Sequence, residues 1–342
     1  MLLPVRPWIS IIVPVYNNTR DLQECLSALV VPSDPRVEII VVDDASTDDT
    51  PAVAARKGVR VLRLDRNSGP GAARNYGALH AQGEILFFVD ADVVVAPGAV
   101  GRVARVFGDH PDLSAVFGSY DAQPRARGVV SQYMNLRHHF VHQQGNSEAA
   151  TFWAGCGAIR RRVFQEVGGF DEKRFPHPSI EDIELGYRLR RAGYRVLLDK
   201  TLQGKHLKRW TLRSVIWTDI TRRAIPWSRL ILESKNAPAD LNLKQGQRLS
   251  AGLVTLGCVL LPVAAFRIEL LAVTAAALLG GLFLNRDLFA FFWRERGLRF
   301  AVSCIPLHFL YYLYSTLSYL FVWATWQLGN PILRAPSATQ RG

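Results

Sequence analysis

The chain has 342 residues, of which 49% are hydrophobic, and its formal net charge is +12. That length is enough for about two domains. The four cysteines, Cys25, Cys156, Cys258 and Cys304, have no metal-type spacing, which argues against a cysteine-based metal site and fits a reducing compartment.

Short apolar runs alternate with helix-like stretches in the N-terminal half. The apolar runs are Ile9–Val15, 37–42, 59–64 and Ile85–Val89, and the helix-like stretches are 21–29, 48–57 and 71–81. This alternation predicts an α/β domain with a mostly parallel sheet flanked by helices. Ligands of such open sheets bind outside the carboxyl ends of the strands.

Polar residues follow three of the four predicted strands: Tyr16 and Asn17, Asp43 and Asp44, and Asp90 with Asp92. Aspartate is also a common turn residue at solvated strand ends, so one such pair alone would carry no functional meaning. The carboxyl ends of parallel strands meet at one edge of a sheet. Three clusters at that edge therefore favour a ligand site.

The segment DDASTDDT, residues 43–50, combines strand-end carboxylates with a predicted helix start. Ser46 and Thr47 are good helix N-caps, and the two aspartates after them suit the positive end of a helix. Asp43 and Asp44 are therefore the better candidates for contact with a ligand.

A glycine-rich segment, NSGPGAARNYGA, spans residues 67–78. It departs from the dinucleotide-binding pattern because Arg74 stands where a third glycine is expected and because it follows the third strand. It predicts a turn that leads into a helix with Arg74 near the first turn, a suitable position for a diphosphate oxygen. A plain loop with a helix cap explains the segment equally well.

Acidic residues mark another helix start in the sequence EDIEL. Ser179 is a candidate N-cap, and Glu181, Asp182 and Glu184 suit the positive end of the helix. Helix capping alone accounts for acidic residues at this position.

A basic strip precedes the most apolar part of the chain. Residues 200–248 contain eleven lysines or arginines and three acidic residues. The strip predicts an amphipathic segment at the surface of an anionic membrane, with an ordinary basic surface helix as the alternative. Its interfacial candidates are Trp210, Trp217, Trp227, Arg213, Arg222 and Arg223. The absence of a nucleic-acid-binding motif argues against nucleic acid as the partner.

Three apolar runs, 250–266, 270–284 and 300–328, predict about three membrane spans. The first two are short, and buried core helices are an alternative for them. Arginines in residues 285–299 indicate a cytoplasmic connection. No leader of the secretory type opens the chain, so the N-terminal domain is expected in the cytoplasm. Three spans would place the short C-terminal tail outside, and Arg334 and Arg341 argue against this topology.

Six segments in order resemble the family 2 glycosyltransferases with the GT-A fold: residues 14–17, 43–50, 67–78, 90–92, 155–172 and 181–194. The resemblance covers about residues 8–210. It implies a Rossmann-like mixed sheet of the nucleotide-diphospho-sugar transferase type. The expected organisation is a catalytic domain at 1–205, interface helices at 206–249, a transmembrane region at 250–330 and a tail at 331–342.

The resemblance also implies roles for individual residues. Asp182 would be the general base, and Asp92 with His206 would hold Mn²⁺ or Mg²⁺. The donor side would comprise Pro14, Tyr16, Asp43, Asp44, Arg74 and Asp90, with a UDP-sugar favoured as donor. The acceptor side would comprise Trp153, Gly155, Glu181, Arg209 and Trp210.

The implied reaction is the inverting transfer of one sugar to a hydroxyl of a lipid or lipid-linked acceptor at the cytoplasmic membrane face. Processive relatives carry Q-x-x-R-W, whereas this chain has His206 at the glutamine position of HLKRW, which favours a single transfer. A polyprenyl-phosphate sugar transferase and a catalytically silent membrane scaffold are the alternatives.

Overall fold

The computed structural model describes residues 8–29, 36–234 and 244–329. The chain divides into two compact units after Arg209. The tail expected at 331–342 and part of the basic strip, residues 235–243, lie outside the described residues.

The first unit contains a mixed sheet of eight strands. These are β1 Ile9–Val15, β2 Val37–Asp43, β3 Arg60–Arg63, β4 Ile85–Val89, β5 Val93–Val95, β6 Ala115–Tyr120, β7 Cys156–Arg160 and β8 Val196–His206. Their order across the sheet is β3-β2-β1-β4-β7-β6-β8-β5. The first four strands run parallel, and β7 runs antiparallel to both of its neighbours. The predicted parallel strands and the expected mixed sheet are confirmed.

Seven helices accompany the described part of this sheet: α1 Thr19–Leu29, α2 Thr50–Arg56, α3 Pro70–His80, α4 Ala99–Asp109, α5 Val129–Gln143, α6 Arg161–Glu166 and α7 Glu181–Arg191. Among them, α1 buries an apolar face with Leu22, Cys25, Leu26 and Leu29 at helical spacing. β1 and β4 are buried along their whole length, so the core lies on both sides of the central strands.

The second unit is helical in its described part. It contains α8 Leu212–Thr218, a π-helix Asp219–Ala224, α9 Ile225–Ser234, α10 Gln245–Ala264, α11 Leu271–Leu284, α12 Arg286–Arg296 and α13 Leu298–Gln327. Between Leu212 and Ser234, the predicted interface segment thus forms three consecutive helical pieces. Trp217 is exposed, whereas Trp210 is buried beneath the guanidinium of Arg223, which lies 5.6 Å from the ring centroid.

Two helices, α10 and α13, are long and apolar enough to cross a membrane. The second predicted span is a helix of 14 residues, shorter than the roughly 20 that a bilayer requires. It qualifies only when joined to α12, across a bend of 61°. The expected connection at 285–299 is largely helical: α12 buries Leu288, Phe289 and Phe292, and its arginines lie at its two ends.

Candidate functional site

The carboxyl ends of β1 and β2 are joined by side-chain hydrogen bonds. The side-chain oxygen of Asn17 accepts from the Thr47 backbone amide at 2.8 Å, and the Asn17 backbone amide donates to the Ser46 hydroxyl at 2.9 Å. Asn17 and Ala45 have positive φ values of 48° and 61°, a conformation that is uncommon for residues with a side chain and frequent at functional sites. Tyr16, next to this junction, is 47% exposed.

The prediction that Ser46 and Thr47 cap α2 is wrong. The N-cap is Asp49, which makes no side-chain cap bond. The Ser46 hydroxyl is instead used by Asn17, and the Asp48 carboxylate accepts from the Thr50 amide at 3.0 Å. Cross-strand contacts therefore replace the local cap.

Asp43 and Asp44 shape the loops around them. Asp43 is fully buried, accepts from the Ser46 amide at 3.1 Å and lies 3.2 Å from the Arg63 guanidinium. Asp44 accepts from the amides of Ser68 and Gly69 at 2.7 and 2.8 Å. Burial raises the pKa of Asp44 despite these bonds. Both carboxylates hold backbone at the edge where a ligand is expected.

Pro14 lies within β1 opposite Val42 and is buried. The ladder between β1 and β4 ends at Ile12, so Pro14, which lacks a backbone donor, lies where β1 pairs with β2 alone.

Arg74 joins two segments that are distant in sequence. It lies on the second turn of α3, is buried, and donates to Asp90 at 2.6 Å and to Glu181 at 3.1 Å. Burial opposes its charge, but the two carboxylates raise the pKa of Arg74. The position near the first turn was only approximately predicted, and the pairing with Glu181 was missed because 107 residues separate the partners.

Glu181 is occupied by internal partners. Its side chain is buried between Arg74 and the amide of Ser179, which donates to it at 2.9 Å. The expectation that Ser179 caps α7 is wrong, since the N-cap is Ile180 and makes no side-chain bond. Glu181 takes over part of this function by accepting from the backbone ahead of the helix.

Asp92 and His206 lie side by side. Val93 pairs with His206 across β5 and β8, and the Leu207 amide donates to the Asp92 carbonyl at 2.8 Å. The imidazole Nε2 is 3.6 Å from the Asp92 carboxylate, which is beyond hydrogen-bond length. Burial opposes ionisation of Asp92, but His206, with a smaller contribution from Lys208, lowers its pKa.

This pair fits a divalent ion. A carboxylate oxygen and an imidazole nitrogen 3.6 Å apart can both reach one ion at ligand distances of about 2.1 Å. Within the described residues no group of three or more His, Cys, Asp or Glu side chains forms a complete metal site. An ion here would therefore need further ligands, such as phosphate oxygens, from a bound molecule.

Asp182 is the second residue of α7. Its two carboxylate oxygens accept from the amides of Ala154, at 3.2 Å, and Ile183, at 2.8 Å. Burial and the neighbouring charge of Glu181 raise its pKa to about 7, against the opposing effect of Arg74. A carboxyl group with a near-neutral pKa is suited to accept a proton.

Residues 153–155 lie between Asp90 and Asp182 and bond both of them. The amide of Ala154 bonds Asp182, while the Gly155 carbonyl accepts from the Asp90 amide at 3.2 Å. The Trp153 ring lies over Gly155, where a Cβ would come within 2.5 Å of the indole. This contact explains why glycine is needed at position 155.

The last two predicted acceptor residues lie at the division of the chain. Arg209 is exposed and ends the first unit, and Trp210 begins the second. Tyr120, which contacts both His206 and Trp153, was not predicted. Its only sequence signal is its position at the end of a strand.

Comparisons with known proteins agree with this arrangement. Residues 10–168 match the family model described as glycosyl transferase family 2. The chain is 38% identical over 208 residues to glycosyltransferase AglE of Haloferax volcanii, covering 58% of this chain and 67% of AglE. It is 32% identical over 185 residues to glycosyltransferase GlyG of Streptococcus pneumoniae, covering 49% and 61%.

The chain matches only part of the length of several relatives: the matched regions span 63%, 29% and 61% of three of them. In fold, the chain is similar to the mannosyltransferase PcManGT from Pyrobaculum calidifontis, solved in complex with GDP-Man and Mn²⁺. The TM-score is 0.55 and the identity 21%, over 95% of this chain and 88% of that one. This likeness supports the GT-A architecture.

Proposed function

Because the chain belongs to glycosyl transferase family 2, we propose that it transfers one sugar, with inversion, from a nucleotide-diphosphate sugar to an acceptor hydroxyl. The proposal rests mainly on two ion pairs of Arg74, one with Asp90 and one with Glu181. Carboxylates of the DAD segment and of the start of α7 thus meet at one buried guanidinium. The strand ends proposed to bind the donor are therefore next to α7, the helix that carries the proposed base.

On the donor side, the exposed Tyr16 offers a ring on which a nucleobase can stack. Pro14, Asp43 and Asp44 form the strand ends around it, and Arg74 orients Asp90, whose side chain is 31% exposed, for contact with the ribose. The proposed donor is a UDP-sugar. Guanosine and thymidine donors belong in the same test.

Asp92 and His206 would hold Mn²⁺ or Mg²⁺. When bound, the ion would neutralise charge on the diphosphate leaving group. Carboxylate oxygen is an ordinary ligand of Mn²⁺ and Mg²⁺, and imidazole nitrogen is an ordinary ligand of first-row transition-metal ions, which supports this role.

Asp182 is the proposed base. It takes the proton from the acceptor hydroxyl as that oxygen bonds the anomeric carbon and the bond from this carbon to the diphosphate oxygen breaks. A single displacement of this kind inverts the configuration and requires no enzyme nucleophile. The pKa of about 7 supports proton transfer near neutrality. A hydroxyl acceptor is favoured because an ionised phosphate would not need such a base.

The acceptor is proposed to be a lipid or lipid-linked molecule at the cytoplasmic face of a membrane, on which the chain is held by several spans. The two helices of membrane-spanning length support this placement. Trp153, Gly155, Glu181, Arg209 and Trp210 remain the proposed acceptor-side residues, with Glu181 acting through Arg74.

Donor binding by the purified full-length chain in detergent tests the proposal. Thermal unfolding is recorded with UDP-, GDP- and dTDP-sugars, with and without Mn²⁺. One of them should raise the melting temperature only with metal. Asp92→Asn should abolish this shift, and Asp109→Asn, an exposed carboxylate at the end of α4, should retain it.

Two other results would redirect the assignment. If no nucleotide sugar stabilises the wild type, the chain is a silent scaffold. If the sugar is transferred only to a polyprenyl phosphate, the acceptor is a phosphate and the proposed need for Asp182 is overturned.

A further inference from the structure

The ring of Tyr120 stacks on the imidazole of His206. Their centroids are 4.1 Å apart and their planes differ by 15°. Tyr120 is the last residue of β6 and His206 the last of β8. One of the two proposed metal-binding side chains therefore lies against a flat aromatic surface.

The sheet register explains this contact. β6 and β8 run parallel, and Tyr120 lies opposite Gly204. Side chains two residues apart on a strand project to the same face, so His206 projects to the same face as Tyr120. Gly204 itself has no side chain, and a Cβ there would lie 2.5 Å from Val93.

Tyr120 is itself held in place by neighbouring rings. Its ring centroid is 4.4 Å from that of His138 on α5 and 4.8 Å from that of Trp153, which meets it edge to face. Its carbonyl lies 2.7 Å from Nδ1 of His139. A side chain packed in this way loses little further freedom when it supports a neighbour.

The backbone of His206 is held as well. The Arg125 amide donates to the His206 carbonyl at 3.1 Å, and the Arg125 guanidinium donates to the Leu207 carbonyl at 2.9 Å. The same guanidinium pairs with Glu24 of α1 at 2.8 Å. Since the backbone is fixed by these bonds, the remaining freedom of His206 is the rotation of its side chain, and Tyr120 limits that rotation.

We propose that Tyr120 is a positioning residue for His206: its ring holds the imidazole so that Nε2 faces the Asp92 carboxylate, 3.6 Å away. The two ligands are then arranged before an ion arrives. Hydrogen-bonding partners that orient a metal-binding histidine contribute about 10–100-fold to metal affinity, and a stacked ring restricts the same rotation of the imidazole. This inference rests on the proposed function, because it takes Asp92 and His206 as the metal pair.

Mn²⁺ binding, measured by the EPR signal of free Mn²⁺ with the purified full-length chain in detergent, tests this role. The titration is made with Mn²⁺ alone and with UDP added. Tyr120→Leu removes the stacking surface and should weaken binding about tenfold. Tyr120→Phe keeps the ring and should bind as the wild type does.

Phe117→Leu is the matched control. Phe117 is a fully buried aromatic residue of the same strand, and its ring contacts are His142 and Phe152. The variant should lower the melting temperature and leave Mn²⁺ affinity unchanged. A general loss of packing in β6 is thereby separated from the loss of support for His206.

A double-mutant cycle with His206→Ala decides whether Tyr120 acts through the histidine. Tyr120→Leu should have no further effect on Mn²⁺ affinity in the His206→Ala background. The inference is overturned if Tyr120→Leu binds Mn²⁺ normally or weakens binding equally in both backgrounds. If His206→Ala itself binds like the wild type, the metal role in the proposed function fails, and the positioning role with it.

Discussion

At the scale of single residues, Asp182 shows how neighbours adjust a carboxyl group. Burial and Glu181 raise its pKa to about 7, although Arg74 and two amide donors favour the charged form. Arg74 is already shared with Asp90 and Glu181, so it offsets only part of the effect. The result is a group that changes charge in the physiological pH range.

The activity of the chain should therefore depend on pH in a defined way. The proposed base must be ionised, so kcat/KM should rise with pH through a pKa near 7 and level off above it. Asp182→Asn should bind donor normally and transfer sugar slowly at every pH. The pH profile of kcat/KM for a soluble acceptor analogue measures both, and wild-type turnover by the variant would contradict the assignment.

The free energy of unfolding should fall as pH rises, in the opposite sense to the activity. An unfolded aspartate releases its proton near a pH of about 4, whereas folded Asp182 keeps it to about 7. Between these values the folded state binds more protons, so its free energy of unfolding falls as pH rises. Asp182→Asn should flatten that part of the curve, as measured by urea unfolding from pH 4 to 8. An unchanged slope would contradict the pKa shift.

At the scale of elements, the turn before α3 depends on a glycine. Gly69 has φ of 87°, and a Cβ there would lie 2.5 Å from the Pro176 carbonyl oxygen. Its amide also donates to Asp44. The turn thus packs against a loop more than 100 residues away and fixes the start of the helix that carries Arg74.

Gly69→Ala should therefore cost more than an ordinary glycine replacement. The combination of φ 87° and ψ 166° is essentially restricted to glycine and costs another residue about 1–3 kcal/mol, and the clash should add about 1–3 kcal/mol. Gly58→Ala is the control, because Gly58 has φ of 70° with open space around it. Equal losses in the free energy of unfolding for the two variants would show that the clash is relieved.

In the helical unit, Asn285 joins three helical segments. Its side-chain amide donates to the Gly281 carbonyl at 2.8 Å, and its oxygen accepts from Tyr312 at 2.9 Å and lies 3.2 Å from Nε2 of His308. Tyr312 also bonds Gln247. Buried polar contacts of this kind hold apolar helices together where lipid offers no hydrophobic driving force.

Asn285→Leu should weaken this helix packing by about 1–2 kcal/mol, since measured interhelical bonds have this size at most. Thermal unfolding in detergent measures the effect. Leu279→Met changes an exposed residue of α11 and should be neutral. A stable Asn285→Leu protein with an unchanged melting temperature would show that the network does not contribute.

At the scale of the whole molecule, the two units have different surfaces. The described helices of the second unit expose large apolar residues, among them Leu317, Leu320 and Phe321 on α13. A water-soluble surface seldom carries so many of them together. Their exposure is consistent with lipid around α10 and α13.

A charge on this surface should impair membrane insertion. Leu317→Arg lies near the middle of α13, where arginine costs about 2.5–3.5 kcal/mol on insertion scales. The fraction of the protein recovered in washed membranes should fall. Leu79→Arg, at a leucine of α3 in the first unit that is 76% exposed against 48% for Leu317, should leave that fraction unchanged. Equal recovery of both variants would place α13 away from lipid.

The sequence by itself determined the first four strands and the candidate residues at their ends. Apolar runs gave β1 and β4 their bounds, because these buried strands are apolar at almost every position, and six ordered segments indicated the family. Asp90, Asp92 and Asp182 became candidate site residues in this way. Local capping was predicted less well, since Ser46 bonds across to Asn17 rather than to its own helix.

Only the tertiary structure decided which of these side chains meet. The pairing of Arg74 with Glu181 and the stacking of Tyr120 on His206 join residues 107 and 86 positions apart. Strand order and register bring them together, and no local pattern encodes either. The bend of 61° between α11 and α12 was also decided only by the structure, because the apolar run 270–284 shows where the first helix ends and not that a second helix follows it at an angle. Periodicity reflects which side of an element is buried, whereas the partner on that side is chosen by the packing of the whole chain.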